Sequence, residues 1–168
     1  MKPQFALATL IAACFSTITF AQSENPPGFD VALITFQSID LDGDGFANIG
    51  DMNEFGISIF EGMDYDGDEK VTFSEFSDWD IGFELAAQEV GRPEAIVTAR
   101  RIMFGMWDAN NDGNLTMAEK RRAGMLDFNR ADVDDNSLLD EREFLIGYSV
   151  NVVMRSAINP DLAAPNQQ

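Results

Sequence analysis

Four acidic dodecamers hold most of the residues whose types and spacing could do chemistry. They begin at Asp40, Asp64, Asp108 and Asp132. Side-chain oxygens recur at the first, third and fifth positions: Asp40, Asp42 and Asp44; Asp64, Asp66 and Asp68; Asp108, Asn110 and Asp112; Asp132, Asp134 and Asn136. The ninth position holds Asn48, Thr72, Thr116 or Asp140, and the twelfth Asp51, Glu75, Glu119 or Glu143. The seventh would add a backbone carbonyl, from Phe46, Lys70, Asn114 or Leu138. Oxygen donors at this spacing suit a hard cation. Calcium takes about six to eight oxygens at short range, with a turn of chain wrapped around it. Up to four calcium ions are expected.

The loops are not equal. The third, Asp108 to Glu119, meets every demand, with Gly113 at the sixth-position bend and Leu115 at the eighth, where an apolar residue pairs with a neighbouring loop. At the bend a left-handed conformation favours glycine. Glu69 and Ser137 stand there in the second and fourth loops. A non-glycine residue held left-handed costs about 1–2 kcal/mol, so these sites are expected to be weaker, not absent. The first loop has Gly45 but closes with Asp51, one methylene shorter than Glu, which admits magnesium as a competitor. Its eighth residue, Ala47, is a poor pairing residue.

Composition narrows the alternatives. Acidic residues number 29 against 11 basic, a net charge of −18. Such a surface repels nucleic acid and anionic membranes and attracts cations. With 45% hydrophobic residues and 14 Phe, the chain still has material for a core. It has no His and one Cys, which removes Cys/His zinc sites, Cys–His nucleophiles and a Ser–His–Asp triad. Neither a Gly-rich phosphate loop nor a nucleophile motif is present, and Glu84, Glu89 and Glu94 read as a solvated helix face. No catalysis is expected.

On these dodecamers the chain resembles the bacterial secreted EF-hand calcium-binding proteins, related through the loop to calmodulin and the sarcoplasmic calcium-binding proteins. The resemblance covers roughly residues 30–155. It implies an all-α fold of helix–loop–helix repeats, two pairs of calcium loops with short β contacts between loops, and a monomer.

Helices must position the loops, and the apolar spacing supplies them. Phe36 and Ile39, Phe60 and Met63, Phe104 and Trp107, and Phe128 and Ala131 precede the four loops. Met52 and Phe55, Phe76 and Trp79, and Phe144, Ile146 and Val150 follow three of them. These residues are expected to form the core. Segments 52–63 and 120–131 join consecutive loops, each room for one helix of about 18 Å or two very short ones. Segment 76–107 contains Gly91-Arg92-Pro93, a break between two ordinary helices. Two architectures follow. In one, loops pair one with two and three with four, with Gly56 and Gly124 bending the connectors; residues 31–90 and 91–158 are then two lobes. In the other, one helix serves both neighbours, loops two and three pair, and loops one and four flank them. The resemblance favours the first and the length of the connectors the second.

The ends read differently. Lys2 and the apolar run Phe5 to Phe20, closing at Thr19-Phe20-Ala21, resemble a secretory signal peptide cut after Ala21. Ile11-Ala12-Ala13-Cys14 offers a second reading, a lipobox that would anchor the chain at Cys14. The chain is therefore expected to be exported, periplasmic or secreted, without a membrane span. Residues 22–30 read as a linker and 159–168 as a disordered tail.

Three roles suit such a protein. It would be a calcium buffer or calcium-stabilised protein. It would instead be a sensor exposing an apolar Met/Phe groove to a partner protein, using Met52, Met63, Met103, Met106, Met125 or Met154. Or it would dock, since the first loop, with Asn48 and Asp51, resembles a dockerin loop; the other three close with Glu and depart from that pattern.

Overall fold

The computed structural model describes residues 25–159. The signal-peptide and lipobox segment, the start of the linker and residues 160–168 lie outside the described residues. The fold is mostly helical with small antiparallel sheets. In chain order the elements are α1 (Phe29–Ile39), β1 (Phe46–Asn48), α2 (Ile49–Met63), β2 (Lys70–Thr72), α3 (Phe73–Asp78) and α4 (Phe83–Glu89). They continue with α5 (Pro93–Trp107), β3 (Asn114–Thr116), α6 (Met117–Ala131), β4 (Leu138–Asp140), α7 (Glu141–Gly147) and α8 (Ser149–Ile158).

Each helix has local causes. Asn48, Thr72, Thr116 and Asp140 cap α2, α3, α6 and α7, each in a reciprocal capping box with the acid three residues on. Pro93 opens α5, where its missing N–H costs nothing. The helices entering the loops end alike: the N–H of Asp40, Asp64, Asp108 and Asp132 donates to the carbonyl of Phe36, Phe60, Phe104 and Phe128, at 2.8–3.0 Å. Those four Phe are all buried, which ties each loop's first acid to the core.

The strands pair across the two halves of the chain. β1 runs antiparallel to β4, with Ala47 opposite Leu139. β2 runs antiparallel to β3, with Val71 opposite Leu115. The expected pairing of loops one with two and three with four is therefore corrected, and segments 31–90 and 91–158 do not stand as separate lobes. The reason is length. α2 and α6 are unbroken helices of 15 residues, about 22 Å, and each holds one loop at either end. Gly56 and Gly124 lie inside these helices and bend neither connector. Loop four does more than flank: it pairs directly with loop one. Ala47 is also no defect, being fully buried beside the larger Leu139.

Two hydrophobic clusters result. One gathers Phe60, Met63, Val71, Phe76, Phe104, Trp107 and Leu115 around β2 and β3. The other gathers Phe36, Ile39, Ala47, Phe128, Leu139, Phe144 and Tyr148 around β1 and β4. Phe144 and Tyr148 stack at 4.9 Å, and Phe76 meets the Trp107 ring at 5.5 Å, edge to face. Burying a Val or Leu side chain contributes about 1.5–3 kcal/mol, so the eighth-position pairs hold the ladders from below. Ile146, expected in the core, is 52% exposed. The seven residues of α7 turn Phe144 and Leu145 inward and leave Ile146 on the outer face.

The stretch between loops two and three holds three helices, not two. α3 stops at Asp78, and buried Arg100 from α5 takes over its last carbonyls. The guanidinium donates to Phe76 O at 3.0 Å, Trp79 O at 2.7 Å and Ser77 O, and pairs with Glu84. Gly91, left-handed at φ 71°, makes the break expected before Pro93. The inner end of the linker is packed: a Cβ on Gly28 would stand 2.8 Å from Ile158 Cδ1. Asn159, assigned to the tail, donates to Pro27 O at 2.8 Å.

Gly147 of α7 packs directly on the backbone of Ala131 in α6. A Cβ there would lie 2.6 Å from Ala131 Cα and 2.8 Å from its Cβ, both rigid. Gly147→Ala is expected to destabilise the chain by about 1–3 kcal/mol, read as a lower urea midpoint with an unchanged slope.

Candidate metal centres

All four loops wind by one pattern of hydrogen bonds. The first Asp binds the loop's own backbone: its Oδ2 accepts from the sixth residue's N–H, that of Gly45, Glu69, Gly113 or Ser137, at 2.9–3.0 Å. The third-position oxygen accepts from the fifth N–H, as Asp66 does from Asp68 at 3.2 Å. The fifth-position oxygen accepts from the seventh N–H, as Asp44 does from Phe46 at 2.9 Å and Asn136 from Leu138 at 2.7 Å. The side chains at positions one, three and five are thereby turned toward the inside of one turn.

Two backbone positions must be left-handed for that turn. The sixth residue is, with φ of 88°, 65°, 83° and 67° at Gly45, Glu69, Gly113 and Ser137. So is the fourth, at Gly43, Gly67, Asn111 and Asp135. The fourth position escaped the sequence reading. Its signal was there: Gly, Gly, Asn and Asp are the residues that visit this region most readily.

Carboxylates converge as a result. The oxygens of Asp40, Asp42 and Asp44 lie within 4.8 Å of one another, as do those of Asp64, Asp66 and Asp68, and those of Asp132, Asp134 and Glu143. In the third loop Asn110 replaces one carboxylate with an amide, and Asp108 is the most buried first-position acid, 5% exposed. Backbone donation from Asn114 holds the Asp112 carboxyl below its usual range, and that from Thr116 does the same for Glu119.

The ninth and twelfth residues work together. The twelfth carboxylate spends one oxygen on the ninth N–H: Asp51 on Asn48 at 2.9 Å, Glu75 on Thr72 at 2.8 Å, Glu119 on Thr116 at 3.0 Å and Glu143 on Asp140 at 3.1 Å. The ninth side chain caps the helix in return, a role the sequence reading did not give it. The other twelfth-position oxygen is what remains for a ligand. Glu119 Oε1 accepts weakly from Asn110 N–H at 3.4 Å, and Glu143 Oε1 from Val133 N–H at 2.9 Å. Glu75 is 4% exposed, and its Oε1 is buried with no hydrogen-bond partner. A buried, bare carboxylate oxygen is costly unless something positive meets it. The donor sets fit a divalent, oxygen-seeking cation.

Sequence reasoning missed a polar group between the loop pairs. Lys120, next to Glu119 in sequence, is 5% exposed with Nζ 4.7 Å from the Trp107 ring centroid. Burial pushes its pKa down to about 8, against the attraction of Asp127. Burial raises the pKa of Asp127 in turn, while Ser149 Oγ donates to it at 2.7 Å and Arg130 Nη1 at 2.8 Å.

No protein-family model matches the sequence, and no curated protein matches it at a significant level. Any function therefore rests on the residues themselves.

Glu69 and Ser137 carry the strain of the left-handed bend. Glu69→Gly and Ser137→Gly are each expected to raise stability by roughly 0.5–1 kcal/mol, the relieved strain less the extra freedom of glycine in the unfolded chain. Thermal melts of the single variants, metal-stripped, measure it.

Proposed function

We propose that the chain binds calcium in its four loops, as an exported calcium buffer or a protein whose fold calcium stabilises. The observation that carries this reading is the buried, unpartnered Oε1 of Glu75, closing a loop in which Asp64, Asp66 and Asp68 converge. The resemblance to EF-hand proteins supports it. The first, third, fifth and twelfth side chains and the seventh carbonyl of each loop would hold the ion. Calcium would supply the charge that offsets their mutual repulsion.

The residues divide the work. Each first-position Asp, fixed by its buried Phe and by the sixth N–H, sets where the shell begins. Each capping box presents the twelfth carboxylate with one oxygen already engaged. Asp51 is shorter and only half-buried, which suits a weaker first site, open to magnesium. Glu75 and Glu143, both buried, close their loops out of solvent, while the left-handed strain at Glu69 and Ser137 weakens those same two sites.

The position of the methionines favours a buffer or stabilised protein over a sensor. Met52, Met63, Met103 and Met154 are core residues; Met106 and Met125 are about half exposed and on separate helices. Docking through the first loop has less support, because its strand is already paired with β4.

The test is a calorimetric calcium titration of the metal-stripped protein, with and without ~1 mM magnesium. A stoichiometry near four is expected, or three with the first loop silent; zero or one would overturn the reading. Glu75→Gln is expected to weaken one site by ~10-fold or more while leaving the others. Binding to the folded form alone should also raise stability, by about 2.7 kcal/mol for each site at a hundred times its Kd. An unchanged melting temperature in millimolar calcium would count against the proposal.

A further inference from the structure

We infer that the pocket between α2, the α3–α4 connection, α5 and α8, with Lys120 of α6 in its wall, is a binding site for a small apolar carboxylate, its charged end meeting the ammonium of Lys120. This goes beyond calcium binding and does not rest on it. The cavity measures about 220 Å³ and is walled largely by apolar side chains, among them Ile59, Phe83, Met103, Trp107 and Met154. At the liquid volume of water, about 30 Å³ each, that is space for roughly seven waters. A ligand on the order of ten heavy atoms fits it better than a peptide.

Lys120 is the reason to expect a ligand. Lysine is almost never fully buried unless paired. Its Nζ closes no hydrogen bond or salt bridge among the described residues, and only the Trp107 ring meets it. The acid that attracts it, Asp127, is already engaged by Ser149 and Arg130. Nζ lies against α2, where a Cβ on Gly56 would stand 3.6 Å away. Strong ammonium–carboxylate hydrogen bonding is thus available in a space that otherwise offers apolar contact. Lys120 is 5% exposed, so folding has already removed most of its water, and binding has chiefly the ligand's own desolvation to offset. Asp80, an acid in the lining, is exposed and accepts from Gly82 N–H at 2.7 Å. Its charge repels a carboxylate at that edge and turns the ligand's charged end inward.

The experiment compares octanoate, octanol and octylammonium on the full chain in ~1 mM calcium, by calorimetry and by the fluorescence of the two tryptophans, Trp79 and Trp107, both of which line the pocket. Octanoate is expected to bind at one site with a Kd on the order of 10⁻⁵–10⁻⁴ M. Octanol should bind ~10-fold or more weakly, and octylammonium not at all. Lys120→Met should melt at or above the parent, since it removes a buried charge, and should lose the preference for octanoate over octanol. No binding of octanoate, equal binding of octanol, or an unaltered preference in Lys120→Met would each overturn the inference. The three-ligand comparison on the unmutated chain decides the matter even where the variant fails to fold.

Discussion

The two antiparallel ladders, three residues a strand, are what the rest of the structure depends on. Each joins a loop from the first half of the chain to a loop from the second: β1 to β4 and β2 to β3. Once both form, α2 and α6 must lie side by side and run in opposite directions, because each helix leaves one ladder and enters the other. The buried pairs Ala47–Leu139 and Val71–Leu115 then sit at the two ends of the same helix pair. The two hydrophobic clusters follow, one beneath each ladder, with Val150 of α8 packed against both. A ladder this short contributes little by its own hydrogen bonds. It is held by the side chains beneath it, and those come from helices far apart in sequence.

Against this scaffold the loops store an electrostatic conflict. Three times the fold brings three carboxylate oxygens within 4.8 Å of one another. The backbone offsets part of the repulsion. Fifth, sixth and seventh N–H groups point at the first, third and fifth side chains, and the ninth N–H at the twelfth. These donors stabilise negative charge and fix its position. They do not neutralise it, and in the second loop they leave Glu75 Oε1 with nothing. A chain that spends left-handed strain at Glu69 and Ser137 to aim acids at one another has a geometry that makes sense with a cation and is costly without one.

The loops were legible in the sequence because their demands are local. Residue types at fixed offsets within one turn of chain determine which oxygens converge, so the acids at positions one, three and five of the first two loops, and at one, three and twelve of the fourth, could be read directly. The Phe four residues before each loop was legible for the same reason: one helical hydrogen bond separates it from the first Asp. Pairing was not, because it depends on whether a 12-residue connector stays one helix. Gly56 and Gly124 argue for a bend in isolation; packing of α2 against α6 overrides them. The end of α3 was hidden for a related reason. Its carbonyls are capped by Arg100, more than twenty residues downstream, and no local signal announces a guanidinium arriving from another helix. Lys120 looked like an ordinary polar residue on a helix, and only the packing of α6 against α2 and α5 shows that it is buried.

The shared helices also bear on how such a protein could respond to an ion. A groove opens when two helices of a loop pair swing apart while the rest of the molecule stays still. Here α2 is fixed at one end by β1 and at the other by β2, and α6 likewise by β3 and β4. Swinging either away from its ladder at one end strains the ladder at the other. Gly147 packed onto Ala131 and Arg100 bound to the end of α3 add stops on both sides. Ion binding in such a frame acts chiefly on whether the whole structure holds together, and much less on which surface it shows. That supports reading the loops as a means of storing calcium or of being stabilised by it, and it leaves a pocket already formed between the helices, not a face opened by the ion, as the place where a second ligand would bind.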